Sequence, residues 1–199
     1  GIVGMKFDKC GGMAIFGIMQ AVAKLELDIP VVGIIAAAEN MISSEAYRPN
    51  DIITSLSGKT IEIISTDAEG RMVLADALTY AGQQFKPRTL IDLATLTGGA
   101  AIALGKVRAG LMSNNEALAG ALFNAGERTD ERLWQLPLDD DYFDLIRGHD
   151  SDLKNSAGLN LAHTIVGGMF LKEFVPEGIP WAHIDLANMA ISSQKNNTQ

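Results

Sequence analysis

The chain predicts an α/β fold, a mixed and largely parallel sheet sandwiched between helical layers, built as one domain over residues 1–199. Three observations lead there. Residues 60–64 (Thr-Ile-Glu-Ile-Ile) are β-branched and alternate apolar with polar, the pattern of a strand. Residues 72–81 follow with strong helix formers and with Leu74, Leu78 and Ala81 at helical spacing. Residues 29–38 are a continuous apolar run around Pro30, which fits a strand covered on both faces, and such strands belong to sheets with helices on either side.

Taken in order, residues 1–4 read as an interior strand, and residues 10–22 as a helix apolar on most sides, as one buried in the domain would be. Asp8 stands at the mouth of that helix, where spacing alone makes it a cap for free backbone amides. Cys10 reads as a small buried hydrophobe. Residues 39–50 form a polar loop in which Glu39 and Glu45 are solvated, and residues 51–56 pair with 60–64 across Ser57-Gly58-Lys59. Residues 88–94 are the next strand, ending in Thr95-Leu96-Thr97-Gly98-Gly99, with Asp92 serving the fold. Residues 107–112 read as a strand and 115–129 as an amphipathic helix. A helix over 160–175, in which Gly167-Gly168 marks a close approach, precedes the final strand over 180–186. Asp139-Asp140-Asp141 fits the first turn of a helix better than a metal cluster.

Between hairpin and helix lies Ser65-Thr66-Asp67-Ala68-Glu69-Gly70-Arg71, a charged connection around which the rest is arranged. Asp67 and Glu69 are two apart, which in an extended segment points both carboxylates the same way. Two convergent anions repel unless a cation lies between them, and hard divalent metals take such oxygen ligands. Arg71 follows within reach of an anion that metals would hold. The loop at 95–99 falls at the carboxyl end of a strand, where ligands gather in open α/β sheets, and it lacks the Gly-Lys-Ser/Thr ending of a phosphate loop. His149, His163 and His183 have no partner at ligand spacing, so all three read as structural.

The heptad, with Ala38-Glu39-Asn40-Met41, Ala46-Tyr47-Arg48-Pro49, Leu56-Ser57-Gly58-Lys59-Thr60, Leu74-Ala75-Asp76-Ala77-Leu78, Ala94-Thr95-Leu96-Thr97-Gly98 and Trp181-Ala182-His183, resembles the cytosolic leucine aminopeptidase family. That family's signature is N-T-D-A-E-G-R, and Ser65 replaces its Asn. The resemblance implies a dinuclear metal aminopeptidase using zinc or manganese, with Asp8, Asp67 and Glu69 as ligands. It implies that Arg71 is catalytic, holding a small anion such as bicarbonate as proton shuttle. Thr95, Leu96, Thr97 and Gly98 would position substrate, largely through backbone groups, and Met5 would line the pocket for the first side chain. The ions would acidify a shared water, anchor the peptide's free amino group and stabilise the tetrahedral oxyanion. Family members assemble as hexamers, so a homo-oligomer of that kind is implied.

The chain also departs from the family. There, a strand ending in V-G continues into K-G, then F-D-x-G-G, then a second lysine, before M-K-x-D; here Gly4 runs straight into Met5. Three functional residues lack counterparts, and Lys6 matches a different place in the motif. Two expectations follow. One is a catalytically inactive scaffold or binding protein. The preferred one is a stretch of chain missing between Gly4 and Met5, which predicts a break at that point. Asn188 replaces a family Gly, and the family's amino-terminal domain has no counterpart, so residues 1–199 are expected to be an incomplete catalytic domain.

Composition sets the remaining bounds. With 47% hydrophobic and 20% charged residues, the chain can bury one sizeable core. A net charge of -8 at pH 7 is the wrong sign for nucleic acid or an anionic membrane; peptides as partners are what the family resemblance implies. The single Cys10 cannot form an internal disulfide, and neither a signal peptide nor a membrane-length apolar run is present, so a cytoplasmic location is expected. Paired carboxylates with two ions would also suit phosphoryl transfer, which makes a phosphohydrolase a second rival.

Overall fold

The computed structural model describes residues 4–159 and 161–190, so the strand expected over 1–4 falls outside the described residues except for Gly4. Gly4, at φ 90, leads directly into a 3-10 turn over Met5–Phe7.

The strands are β1 (Ile52–Thr54), β2 (Thr60–Glu62), β3 (Leu90–Ala94), β4 (Ala109–Ser113), β5 (Leu133–Gln135), β6 (Leu153–Lys154) and β7 (Trp181–Asp185). The helices are α1 (Cys10–Lys24), α2 (Glu69–Phe85), α3 (Gly99–Leu104), α4 (Glu116–Thr129) and α5 (His163–Lys172). β1 and β2 form the expected antiparallel hairpin with Ile52 opposite Glu62, and β6 adds to β2 in parallel. The larger sheet has the order β3-β7-β4-β5. Its β3–β7 and β4–β5 pairs are parallel and its β4–β7 pair antiparallel, so the sheets are mixed and largely parallel, as predicted.

β7 sets the layering. Fully buried Trp181 joins the core of Ala75 and Leu78 from α2 and Met169 and Phe170 from α5, whereas Ala182 joins Leu111, Ala119 and Leu133 beneath α4. The larger sheet is thus covered on both faces. Successive strand residues point to opposite faces, so His183 and Asp185 share the α2/α5 side with Trp181. Gly167 allows α5 its close seat: a Cβ there would stand 3.0 Å from Leu96 Cδ2 and 3.1 Å from Thr97 Cγ2.

Asp92 holds the strands together as expected. It accepts from Trp181 Nε1 at 2.7 Å, and its other oxygen lies 2.5 Å from His183 Nδ1. Two expectations fail on the opposite side of β3. α1 forms, but Gly11 is its only buried residue, tight against the Leu93 carbonyl, while Met13 and Phe16 are exposed. Residues 29–38 form no strand; Val32 is exposed, and Gly33 packs on Ile15 and Met19 of α1. An apolar run becomes a strand only where a neighbouring edge accepts its backbone bonds, and among the described residues no strand pairs with this one. Cys10 is accordingly only half-buried.

Candidate active site

The heptad connects β2 to α2 and is held from behind by Asn155, which sits just past β6 and is fully buried. Asn155 Oδ1 accepts from the N–H groups of Ile64 at 2.8 Å and Ser65 at 3.2 Å, and Nδ2 donates to the Ser65 carbonyl at 2.7 Å. In front, Asn40 Nδ2 donates to the Thr66 carbonyl at 3.1 Å. Asp67 and Glu69 leave this turn on either side of Ala68, which begins α2 without a side-chain cap.

Glu69 feels both other acidic candidates. Burial raises its pKa above the ordinary carboxylate value, the charges of Asp8 and Asp67 raise it further, and a backbone amide and the Asn40 side chain pull it back. Asp8 does not cap α1, whose preceding residue is Lys9. Its Oδ1 instead accepts from Thr95 Oγ1 at 2.8 Å. Burial, then the Glu69 charge, raises the pKa of the Tyr47 phenol, whose buried hydroxyl has no hydrogen-bond partner among the described residues.

Arg71 lies in the first turn of α2 and is only 3% exposed. Burial lowers its pKa to about 10 against the opposing charges of Asp185 and Glu69. Among the described residues its Nη1 has no partner, leaving a cationic donor in the field of Glu69 and Asp185. Beyond it, Thr97 Oγ1 donates to Asp185 Oδ2 at 2.6 Å and lies 2.9 Å from Thr164 Oγ1, and Gly98 immediately precedes α3.

The structure therefore gathers Asp8, Asp67, Glu69, Arg71, Thr95, Leu96 and Thr97 around one end of β3 and α2. Met5 is exposed, tied to this region through its carbonyl, which accepts from the Asp8 N–H at 2.9 Å. The carboxylates press on one another electrostatically but are not closed into a cage: among the described residues, no three His, Cys, Asp or Glu side chains group as a metal site. Their chemistry fits a hard dication, since each is an oxygen donor and Glu69, raised first by burial, also feels the repulsion of Asp8 and Asp67 that a cation would relieve.

Three residues escaped the sequence. Asn155 carries no local pattern, because its partners are 90 positions away. Asp185 was legible only as the end of a strand, the place where α/β sheets present ligand sites. His163 has no partner at ligand spacing, and it stands in the field of the same groups: burial and the Arg71 charge lower its pKa while Asp185 and Asp67 oppose them.

Comparison with known proteins decides the family. The catalytic domain of the cytosol aminopeptidase family matches residues 1–199. The chain belongs to the cytosol aminopeptidase family. It is 55% identical to a probable cytosol aminopeptidase of Syntrophotalea carbinolica, over 94% of this chain and 37% of that protein. It is 52% identical to the cytosol aminopeptidase of Pseudomonas aeruginosa, over 94% of this chain and 37% of that protein. Among solved structures, a mutant tomato leucine aminopeptidase superposes with a TM-score of 0.84 at 40% identity, covering 92% of this chain and 36% of that one. Cytosol aminopeptidases are metal-dependent peptidases. This chain spans a little over a third of the curated relatives it matches.

Proposed function

We propose that the chain is the metal-binding part of an aminopeptidase that removes the first residue, leucine and similar, from peptides. The observation that carries this reading is the buried Arg71, whose Nη1 has no partner among the described residues and which feels the charge of Glu69, the carboxylate on which Asp8 and Asp67 also act, because a guanidinium donor next to convergent carboxylates is a place for an anion held with cations. Asp8, Asp67 and Glu69 would hold two divalent ions, zinc or manganese, and the pair when bound supplies Lewis-acid activation of water and of the scissile carbonyl. Arg71 holds a small anion such as bicarbonate at Nη1, where it can take and return a proton. Thr95 steadies Asp8 through their 2.8 Å bond, and the 95–98 loop lines the peptide. Met5 borders the pocket for the first side chain, and residues 1–199 are read as one, incomplete, catalytic domain.

Family membership also supports a homo-oligomer, read as a hexamer, and a cytoplasmic location. No helix among the described residues is long and apolar enough to cross a membrane. The test is hydrolysis of leucine anilide to leucine and aniline by the purified chain with and without added manganese, beside an aryl phosphate. Metal-dependent aniline release that is lost in Asp67→Ala supports the reading. Phosphate release alone would move it to phosphoryl transfer, and silence on both substrates with metal bound would leave a binding scaffold.

A further inference from the structure

We propose that Asp185 is the positioning residue of the 95–98 loop, the group that turns two consecutive backbone carbonyls of this loop outward to accept from the N–H groups of a peptide. The proposal deepens the aminopeptidase reading and rests on it. Asp185 closes β7, is fully buried, and lies opposite Ala94 in the parallel ladder, so it sits directly under the start of the loop. Its carboxylate accepts from the N–H of Leu96 at 3.2 Å, the N–H of Thr97 at 3.3 Å, Thr97 Oγ1 at 2.6 Å and the N–H of Ala187 at 3.2 Å. Three of these four donors belong to the loop.

A trans peptide unit points its N–H and its C=O in opposite directions. With the Leu96 and Thr97 amides drawn in to Asp185, the carbonyls of Thr95 and Leu96 face away from it. Among the described residues, neither carbonyl accepts a hydrogen bond. The carbonyls of Thr97 and Gly98, by contrast, are taken up by the N–H groups of Ala100 and Ala101 at the start of α3. The loop thus divides into an inner half spent on the fold and an outer half that offers two acceptors in a row, a match for the backbone donors of an extended peptide. A buried carboxylate is costly unless its oxygens are filled, and here the loop's own donors fill them, so loop shape and carboxylate burial are one arrangement. The opposing charge on Arg71 adds to it.

The experiment compares amide hydrogen exchange, read by NMR, and leucine anilide kinetics in the 199-residue chain and in Asp185→Asn. Asp92→Asn, a buried carboxylate that bonds to Trp181 and His183 and not to the loop, controls for general loss of stability. Asp185→Asn is expected to speed exchange at Leu96 and Thr97 by about tenfold beyond the control, and to raise KM about tenfold with kcat changed much less. Equal exchange at Leu96 and Thr97 in the two variants overturns the proposal, as does an unchanged KM in an active chain. If Asp185→Asn does not fold, Thr97→Val, which removes one donor, is read the same way, with Thr97→Ser restoring the wild-type values. A chain without turnover whose loop nevertheless loosens selectively overturns the aminopeptidase reading and leaves the positioning role standing.

Discussion

Asn155 grips Ser65 on both sides, with Oδ1 accepting from the Ser65 N–H at 3.2 Å and Nδ2 donating to its carbonyl at 2.7 Å. The Asn155 N–H in turn donates to the Glu62 carbonyl at 2.9 Å, so the short β2–β6 pairing delivers the side chain that shapes the heptad. Asn155→Ala would strand the amides of Ile64 and Ser65 and the carbonyl of Ser65, at a cost of about 3 kcal/mol. A urea unfolding series should show that loss as a lower midpoint; an unchanged midpoint would mean the heptad holds its shape by itself.

Arg71 separates stability from function. Its charge is buried against a desolvation cost that already lowers its pKa to about 10, so Arg71→Met is expected to leave the unfolding midpoint unchanged or higher. Turnover should fall by about 100-fold, the scale set for a lost proton-transfer group. A destabilised but fully active variant would contradict both halves.

Dications should stabilise the chain without any substrate present. Manganese at 100 times its dissociation constant is expected to add about 2.7 kcal/mol to unfolding, seen as a rise in melting temperature that a chelator reverses. Glu69→Gln should abolish the rise. An equal rise in that variant would place the ion elsewhere.

His183 gives the fold a pH dependence. Burial lowers its pKa, but the charge and hydrogen bond of Asp92 and the charge of Asp185 outweigh burial and the opposing Arg71, and the net direction is upward. Because the folded value lies above the unfolded one, the protonated pair contributes in full below the ordinary histidine range, near pH 6.5, and that contribution is lost as pH rises through the folded value. Melting temperature should therefore decline from pH 6 upward, and His183→Asn should flatten the decline. A profile that rises over the same interval would mean that His183 is neutral in the fold.

The hairpin, the helix after the heptad and the strands at 90–94 and 181–185 were legible because each carries its own period of apolar residues. The site was legible in part because Asp67, Glu69 and Arg71 are neighbours in sequence, whereas Asp185 and Asn155 reach it across about 90 positions and leave no local trace. Residues 29–38 misled for the opposite reason. Apolar continuity reports what a segment would bury if covered, and pairing depends on an edge that the segment itself does not specify.

Asp8 lies at the foot of α1, the helix that touches the sheet through Gly11 and shows most of its apolar face to solvent. A segment with so little buried surface opens at a smaller free energy than the core does. One of the three candidate ligands therefore stands just before a helix with a single buried residue, and the other two leave a turn held by Asn155. Affinity for a dication would then contain the work of keeping α1 docked, and an ion held by Asp8 together with the other two carboxylates would act as a clasp that fastens the first helix to the rest of the molecule.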